Sequence, residues 1–278
     1  MPAYQSIDHV MLRLHAAAPL FGLLTHTFGL PIAWPLQHTA FASYGWVHVG
    51  NTDLELWAAT ANTDLPHHAQ PPLFHGFALE PALPMPDALA HLAASGIECK
   101  PARAFQTSDA DGNTVTNFTN AVVLDLSSPS CCVFFCEWNA HASIYPWAEA
   151  ITPVARRASF RQELLDSGGG PLGLLGLRSI RLGTPSPDEH LARWQALSGS
   201  ECNPIQLTSE IALQVVPADH LQIESLTFGV RSLEVARRFL KRLQLLDADD
   251  GNTLTVSREG LVVKLTEVAP IRRECRTP

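Results

Sequence analysis

Apolar and polar residues alternate in short stretches along the chain, and similar stretches recur in the same order. Residues 6–14 have the period-2 alternation of a β-strand, which places His9, Met11 and Arg13 on one face and Asp8 on the opposite, packing face. A histidine and an arginine on an otherwise apolar strand face cost free energy unless they meet a partner or face a cavity. This face is therefore the first candidate for a functional surface.

The residues after this strand predict one helix and three further strands. Residues 19–28 carry leucines and a phenylalanine at helical spacing, between a proline at the start and a glycine at the end. Residues 31–36, 42–49 and 52–58 alternate as strands and are separated by short turns. Residues 1–60 thus predict a β-α-β-β-β unit.

The same order of elements returns after a proline-containing connector at residues 60–72. Residues 73–138 predict a second β-α-β-β-β unit, and two further units with shorter strands follow in residues 173–270. The predicted fold class is α+β, with four βαβββ modules paired into two domains. The N-terminal pair would form an open, cupped sheet, and the C-terminal pair is degenerate.

The repeats also predict the domain boundaries. Because a glycine-rich joint precedes the third unit, we expect the two domains to be separated by a helical bridge. The predicted segments are a first domain at 1–140, a helical bridge and joint at 141–172, a second domain at 173–270 and a tail at 271–278.

The amino-acid composition indicates which kinds of partner and which compartment to expect. The 278 residues are 46% hydrophobic, which suffices for two cores, and the formal charge of -8 disfavours a nucleic-acid partner. We find no signal peptide and no apolar run near the roughly 18 residues of a membrane span, so we expect a cytoplasmic protein without a membrane partner. The six cysteines include no C-x-x-C pair and are expected to be reduced thiols.

Ionisable residues recur at corresponding places on later strands. Each lies beside an aromatic residue two positions away: Glu55 with Trp57, His75 with Phe77, and Glu137 with Phe135. Period-2 alternation puts the two members of each pair on one strand face. Together with His9 of the first strand, these residues make two histidines and two carboxylates that alternate along the first two units.

Four short motifs carry a resemblance to a known family. The runs H-V-M-L-R-L, L-E-L-W, F-H-G-F-A and F-C-E-W resemble the vicinal oxygen chelate superfamily, and within it the glyoxalase-like branch. The resemblance covers residues 1 to about 140 and, as degenerate repeats, residues 173–270. It implies a metal site on the first and last strands of the two N-terminal modules, with the ligands His9, Glu55, His75 and Glu137.

The same resemblance implies a function. A divalent ion (Ni, Co, Zn, Mn or Fe) would act as a Lewis acid on a small oxygen-chelating substrate and stabilise an enolate or oxyanion, in a reaction of the lyase or isomerase type. Glu137, followed by Glu55, is the predicted catalytic base. The predicted substrate-binding residues are Met11, Arg13, Trp57, Phe77 and Phe135.

Two other functions are compatible with these residues. In the first, His9, His75 and Glu137 hold Fe(II) as a 2-His-1-carboxylate triad in an extradiol-type dioxygenase. In the second, the chain is a metal-free protein that binds a small molecule, as resistance members of the superfamily do. Because related folds exchange modules between chains, a homodimer is also possible.

Overall fold

The structure is a computed structural model that describes residues 2–109, 111–140, 142, 144 and 152–268. The first module consists of β1 (Tyr4–Arg13), α1 (Ala17–Gly22), β2 (Ile32–His38), β3 (Ala42–His48) and β4 (Asp53–Ala59). The second consists of β5 (Leu73–Pro81), α2 (Met85–Ala94), β6 (Arg103–Ser108), β7 (Thr114–Val122) and β8 (Cys132–Trp138). Both modules have the predicted β-α-β-β-β order.

The C-terminal half begins after a bridging helix. This half contains α3 (Pro153–Asp166), β9 (Leu174–Thr184), α4 (Pro187–Ser198), β10 (Ile205–Gln206), β11 (Ala212–Pro217), β12 (Gln222–Val230), α5 (Leu233–Arg242), β13 (Ala248–Asp249), β14 (Thr253–Arg258) and β15 (Leu261–Glu267). The third module has two strands after its helix, one fewer than the other three in the described residues. Part of the predicted bridge, at residues 145–151, lies outside the described residues.

Pairs of modules meet through their first strands. β1 and β5 run antiparallel at the centre of the N-terminal half, β4 pairs parallel to β1, and β8 pairs parallel to β5. In the C-terminal half β9 and β12 take the central places, with β11 and β15 beside them. A pairing of Ile223 with Phe74 joins the two halves into one sheet. The predicted α+β fold built from βαβββ modules is confirmed.

Two bulges in the β1–β5 pairing decide which side chains face the concave side of the N-terminal sheet. Ile7 pairs with Leu79 and His9 with Ala78, so Asp8 is an extra residue on β1. On β5 the extra residue is His75, because Leu12 pairs with Phe74 and Met11 pairs with Gly76. A bulge interrupts the alternation of side chains and re-aims them. Asp8, which alternation assigned to the packing face, therefore contacts His9 instead.

The two halves share one apolar core. Trp194 of α4 is fully buried and stacks on Phe77 of β5 with ring centroids 5.6 Å apart, so a C-terminal helix packs against an N-terminal strand. Phe239 of α5 meets Phe28 of the first module at 5.9 Å, edge to face. Each such side chain stabilises the fold by about 1.5–3 kcal/mol when it leaves water. The halves are therefore coupled by packing as well as by the sheet.

Among the described residues, the structure contains no helix that is both long and apolar enough to cross a membrane.

Gly76 is expected to be essential for this arrangement. Its φ is +129°, and a Cβ added there would lie 1.9 Å from the carbonyl oxygen of Cys132 on the neighbouring strand. Gly76→Ala should lower the free energy of unfolding, measured in urea, by about 3 kcal/mol or more. Gly96→Ala is the matched control, because Gly96 has a φ of +73° and nothing within 4 Å of an added Cβ; there we expect a loss of about 1 kcal/mol. Equal losses of stability in the two variants would contradict a steric requirement for glycine at position 76.

Candidate active site

The concave face of the N-terminal sheet encloses a pocket of about 430 Å³, which we call the cup. Nine aromatic residues line it: Trp34, Phe41, Tyr44, Trp46, Trp57, Phe105, Phe118, Phe134 and Trp138. Five polar residues also line it: His9, Arg13, Glu55, His75 and Asn120. An apolar, concave pocket with a few converging polar groups is typical of a site for a small molecule.

His9 lies in the wall of the cup and is held through one nitrogen. Its Nδ1 is 2.7 Å from Oδ2 of Asp8, and its Nε2 is 3.6 Å from Oε2 of Glu55, which is longer than a hydrogen bond. Trp46 covers the imidazole, with ring centroids 4.5 Å apart. Since a carboxylate can only accept, we assign the proton to Nδ1, which leaves the lone pair of Nε2 directed into the cup.

Burial sets the protonation state of His9. The side chain is only 5% exposed, and this loss of solvent lowers the pKa of His9 below its ordinary value of 6.5. The negative charges of Glu55 and Asp53 act in the opposite direction, with a smaller effect. His9 is therefore neutral near pH 7, and these carboxylates would stabilise the imidazolium once a proton arrives.

Asp8 forms an ion pair with a residue from the bridging helix. Arg157 of α3 contacts the Asp8 carboxylate, and its Nη2 donates to Oε2 of Glu80 at 2.8 Å. Trp138 Nε1 donates to Asp8 Oδ2 at 3.2 Å. A carboxylate that is 1% exposed requires such partners, because an isolated buried charge is strongly unfavourable. The Asp8–His9 pair is thus built from β1 and completed by α3 and β8.

A second buried imidazole lies next to this pair. His48 Nδ1 is 2.6 Å from Oδ1 of Asp53, and Asp53 is the β4 residue paired with His9 across the sheet. Phe160 of α3 covers the His48 ring at a centroid distance of 5.7 Å. His48 therefore belongs to a buried polar cluster that α3 covers, and it is not among the residues that line the cup.

Met11, Arg13 and Trp57 lie in the lining of the cup, on the strand faces where the sequence predicted them. Arg13 Nη2 donates to Oδ1 of Asp64 at 3.0 Å and to Oδ1 of Asn62 at 2.8 Å. The connector after the first module thus neutralises the arginine, while its Nε has no hydrogen-bond partner among the described residues. Their role in substrate binding remains a prediction.

His75 also lines the cup, but it is not grouped with His9. Its Nε2 is 3.0 Å from the backbone oxygen of Pro129, so this nitrogen donates to a carbonyl. Burial lowers the pKa of His75 as well. The bulge at His75 interrupts the alternation of β5. Phe77, two residues later, therefore lies on the face opposite to His75.

Three predicted site residues lie outside the cup, which corrects the prediction made from alternation. Phe77 and Phe135 are 0% exposed in the core on the helix side of the sheet. Glu137 shares that face, and its Oε1 accepts from the backbone N–H of Met85, 3.2 Å away, at the start of α2. The cup face of β8 carries Phe134, Cys136 and Trp138 instead. Alternation correctly put Glu137 and Phe135 on one face but assigned that face to the wrong side of the sheet, whereas the bulge at His75 separates His75 from Phe77.

Glu137 has a counterpart that shows its structural role. Glu267, on the last strand of the fourth module, accepts from the backbone N–H of Leu233 at 2.9 Å, at the start of α5. In both modules a carboxylate thus satisfies an unpaired N–H and faces the positive end of the helix dipole. A last-strand glutamate is therefore a helix cap in this fold.

The predicted metal ligands do not converge. Across the sheet from His9, the paired positions hold Ala78 on β5 and Phe134 on β8, neither of which offers a donor. In the part of the chain that the structure describes, no three histidine, cysteine, aspartate or glutamate side chains are grouped so that they could hold a metal ion. Only His9 and Glu55 of the four predicted ligands are close together. The donor set therefore does not fit the predicted four-ligand site.

Several residues of the site were not predicted from the sequence. Asp8 was missed because the bulge that turns it towards His9 has no local signal. Trp46 and Tyr44 alternate on β3 and could have been found from that pattern. Asn120 lines the cup from β7, and its Oδ1 is buried without a hydrogen-bond partner among the described residues.

The neutral state of His9 predicts a pH dependence of stability. Its pKa is lower in the folded protein than in the unfolded chain, so the unfolded chain binds more protons between the two values. The free energy of unfolding should fall as the pH drops below about 6.5, and this slope should weaken in His9→Gln by up to about 1.4 kcal/mol per pH unit. Urea unfolding between pH 7.5 and 5 measures this slope. His38→Gln is the control, because His38 is exposed. Identical slopes in wild type and His9→Gln would contradict a neutral, buried His9.

Comparison with known proteins supports the fold. No protein-family model and no curated protein sequence matches the chain. Among solved structures it is similar to a hypothetical protein from Staphylococcus aureus, with a TM-score of 0.60, 8% identity, and coverage of 95% of this chain and 99% of the other. It is also similar to homoprotocatechuate 2,3-dioxygenase from Arthrobacter globiformis, with a TM-score of 0.59, 10% identity, and coverage of 100% and 84%.

A third similar structure is a mutant of 4-hydroxymandelate synthase from Streptomyces coelicolor, with a TM-score of 0.60, 12% identity, and coverage of 96% and 93%. At these identities the similarity concerns the fold and not the chemistry. The similarity to these three structures covers 95–100% of this chain and 84–99% of theirs. The chain therefore has the fold of the vicinal oxygen chelate superfamily.

Proposed function

We propose that this protein is an enzyme of the lyase or isomerase type, in which His9 moves a proton of a small molecule bound in the cup. The observation that carries the proposal is the setting of His9. Asp8 lies 2.7 Å from Nδ1, and Nε2 faces a pocket of about 430 Å³ and has no hydrogen bond to any of the described residues. A neutral imidazole held by a buried carboxylate is the arrangement that proteins use for a general base.

The proton transfer follows from the charges around the ring. Nε2 of His9 takes a proton from a substrate carbon or hydroxyl group, and the imidazolium that forms lies between the carboxylates of Asp8 and Glu55. Both carboxylates are close enough to stabilise it, and the aromatic walls keep the local dielectric low. Return of the proton to a neighbouring substrate atom gives an isomerisation, and its delivery to a leaving group gives an elimination.

Other groups in the cup are suited to orient the substrate. Nε of Arg13 and Oδ1 of Asn120 lack hydrogen-bond partners among the described residues, which leaves one donor and one acceptor for a ligand that displaces nearby side chains. The aromatic walls favour a substrate with an apolar or flat body. Glu55, 3.6 Å from Nε2, is the second group that can accept or return a proton.

We assign this chemistry to protein groups because the predicted four-ligand metal site is not assembled. Of the four predicted ligands, His9 and Glu55 are the two that lie close together in the cup, and a metal-assisted reaction ordinarily uses at least three. We therefore derive no step through a metal.

Binding without catalysis is the second candidate function. Nine of the residues that line the cup are aromatic, and such a lining stacks on a flat ligand whether or not it reacts. A binding protein needs the aromatic walls but not the Asp8–His9 pair. The two candidates therefore differ in the effect of replacing His9.

Exchange of substrate hydrogen with solvent tests the catalytic role of His9. In D₂O, the wild type should exchange the acidic hydrogen of one or more members of a panel of small α-hydroxy carbonyl compounds, followed by NMR. His9→Gln should lower the exchange rate by about 10²–10⁴-fold. His75→Gln, which alters the other histidine of the cup, should retain it. Ligand binding with no exchange across the panel, or equal exchange in His9→Gln, would favour the binding protein.

Metal addition tests the two-donor assignment. After treatment with a chelator, stoichiometric Ni²⁺, Co²⁺, Zn²⁺, Mn²⁺ or Fe²⁺ should shift the melting temperature by less than about 2 °C, because two donors hold a metal weakly. A site occupied at 100 times its Kd would stabilise the fold by about 2.7 kcal/mol, and the shift would be several degrees. A shift of that size, abolished by His9→Gln, would contradict the assignment.

Glu137→Gln tests the corrected role of Glu137. Its side-chain oxygen caps α2, so the variant should keep the exchange rate within about twofold and lose about 0.5–1 kcal/mol of stability as the helix end loses a negative charge. Urea unfolding and the D₂O assay measure the two effects. A variant that folds normally but loses exchange would restore Glu137 as a catalytic base.

A further inference from the structure

A second cavity lies between the two halves of the protein, on the helix side of the sheet. Its volume is about 90 Å³, and we call it the inter-half cavity. Leu20, Leu23 and Leu24 line it from the first module, and Leu226, Val263 and Arg258 line it from the C-terminal half. None of its lining residues also lines the cup. The inter-half cavity is therefore separate from the cup, and a ligand there would be independent of the proposed function.

The lining of this cavity is apolar except for one side chain. Leucine, phenylalanine and valine form the walls, and among the described residues that line it Arg258 alone carries a charged group. An apolar cavity of this kind excludes water and remains dry, so its walls forgo packing contacts and the fold loses stability in proportion to the volume. A slightly larger apolar residue at any of several positions would fill the space. An apolar ligand in this cavity would contact side chains of both halves at once.

The first helix is deformed where it borders the cavity. After α1, residues Leu23–Thr27 continue as a π-helix, in which the N–H of Phe28 reaches the carbonyl of Leu23 at 3.0 Å. π-helical turns are rare and occur frequently at functional sites, because the wider turn is less favourable than an α-helical one. Here the wider turn carries Leu23 and Leu24, which line the cavity.

The cavity reaches the surface beside an arginine. Leu20, Leu23 and Val263 are half-buried, and so is Arg258. Arg258 makes one long contact, from Nη2 to the backbone oxygen of Gln244 at 3.4 Å, and it has no ion pair among the described residues. A half-buried guanidinium with unused donors favours an anionic group, above all a carboxylate.

We propose that the inter-half cavity binds a short- to medium-chain fatty carboxylate. The aliphatic tail occupies the apolar space between the halves, and the carboxylate pairs with Arg258 at the opening. Such a ligand contacts both halves at once, so it stabilises their packing against each other. The ligand class follows from the two features together, an apolar interior and a single cation at its edge.

Melting curves and tryptophan fluorescence with octanoate and octan-1-ol test this proposal. Octanoate should bind saturably and raise the melting temperature by on the order of 5 °C at 100 times its Kd. Octan-1-ol, which lacks the charge, should bind at least about tenfold more weakly. The cup is lined by four tryptophans and the cavity by none, so binding in the cavity should leave the fluorescence largely unchanged.

Two kinds of variant locate the site. Arg258→Gln should weaken octanoate binding about tenfold and leave octan-1-ol binding unchanged, whereas Arg238→Gln, at an exposed position of α5, should change neither. Leu24→Phe and Val263→Phe should fill the space, raise or maintain the melting temperature without ligand, and reduce binding of both probes at least tenfold. Two filling variants are used so that misfolding of one leaves the test intact.

Three outcomes would overturn the proposal. The first is no saturable binding of octanoate, in which case the cavity is a packing void only. The second is octanoate binding that quenches the tryptophans and is insensitive to both filling variants, which would place the ligand in the cup. The third is equal affinity for the two probes, which would remove the role of Arg258. None of these outcomes bears on proton exchange by His9, so this proposal and the proposed function can fail separately.

Discussion

The antiparallel pairing of β1 with β5, together with two of the three bulges that interrupt it, is the constraint on which the rest of the site depends. Each bulge adds one residue to one strand, and each added residue is chemically distinctive: Asp8 on β1 and His75 on β5. Without the first bulge, Asp8 would point into the core and His9 would have no carboxylate on Nδ1. Without the second, Phe77 would face the cup. The same two irregularities therefore create the Asp8–His9 pair and separate His75 from it.

The buried charge that this pairing creates needs compensation from distant parts of the chain. Arg157 of α3, 149 residues from Asp8 in sequence, supplies the cation. Breaking a buried charge pair costs several kcal/mol, so the bridging helix is tied to the site by energetics as well as by connectivity. The bridging helix thus supports the Asp8–His9 pair, although none of the described residues of α3 lines the cup. The C-terminal half, which carries no counterpart of His9, contributes the helices that complete the shared core.

The repeated pattern of the sequence was enough to predict the modules, because alternation and helical spacing are local signals. Alternation also put His9, Glu55, Met11, Arg13 and Trp57 on the strand faces that line the cup, since β1 beyond Asp8 and β4 alternate regularly. It could not identify the bulges, which depend on how β1 and β5 align, or the Arg157 contact, which is long-range. Glu137 and Phe135 were assigned to the wrong side because period 2 shows which residues share a face but not which face is concave. The resemblance at F-C-E-W therefore selected a helix-capping carboxylate as a ligand.

The state of the His9 imidazole tests the central claim most directly. Nitrogen-15 NMR of the histidine side chains, with His9 assigned from the spectrum of His9→Gln, reports which ring nitrogen carries a proton. We expect a neutral ring at pH 7, with the proton on Nδ1 towards Asp8 and an unprotonated Nε2 in the cup. A ring that is doubly protonated at pH 7, or one whose proton lies on Nε2, would contradict the proposed role of His9.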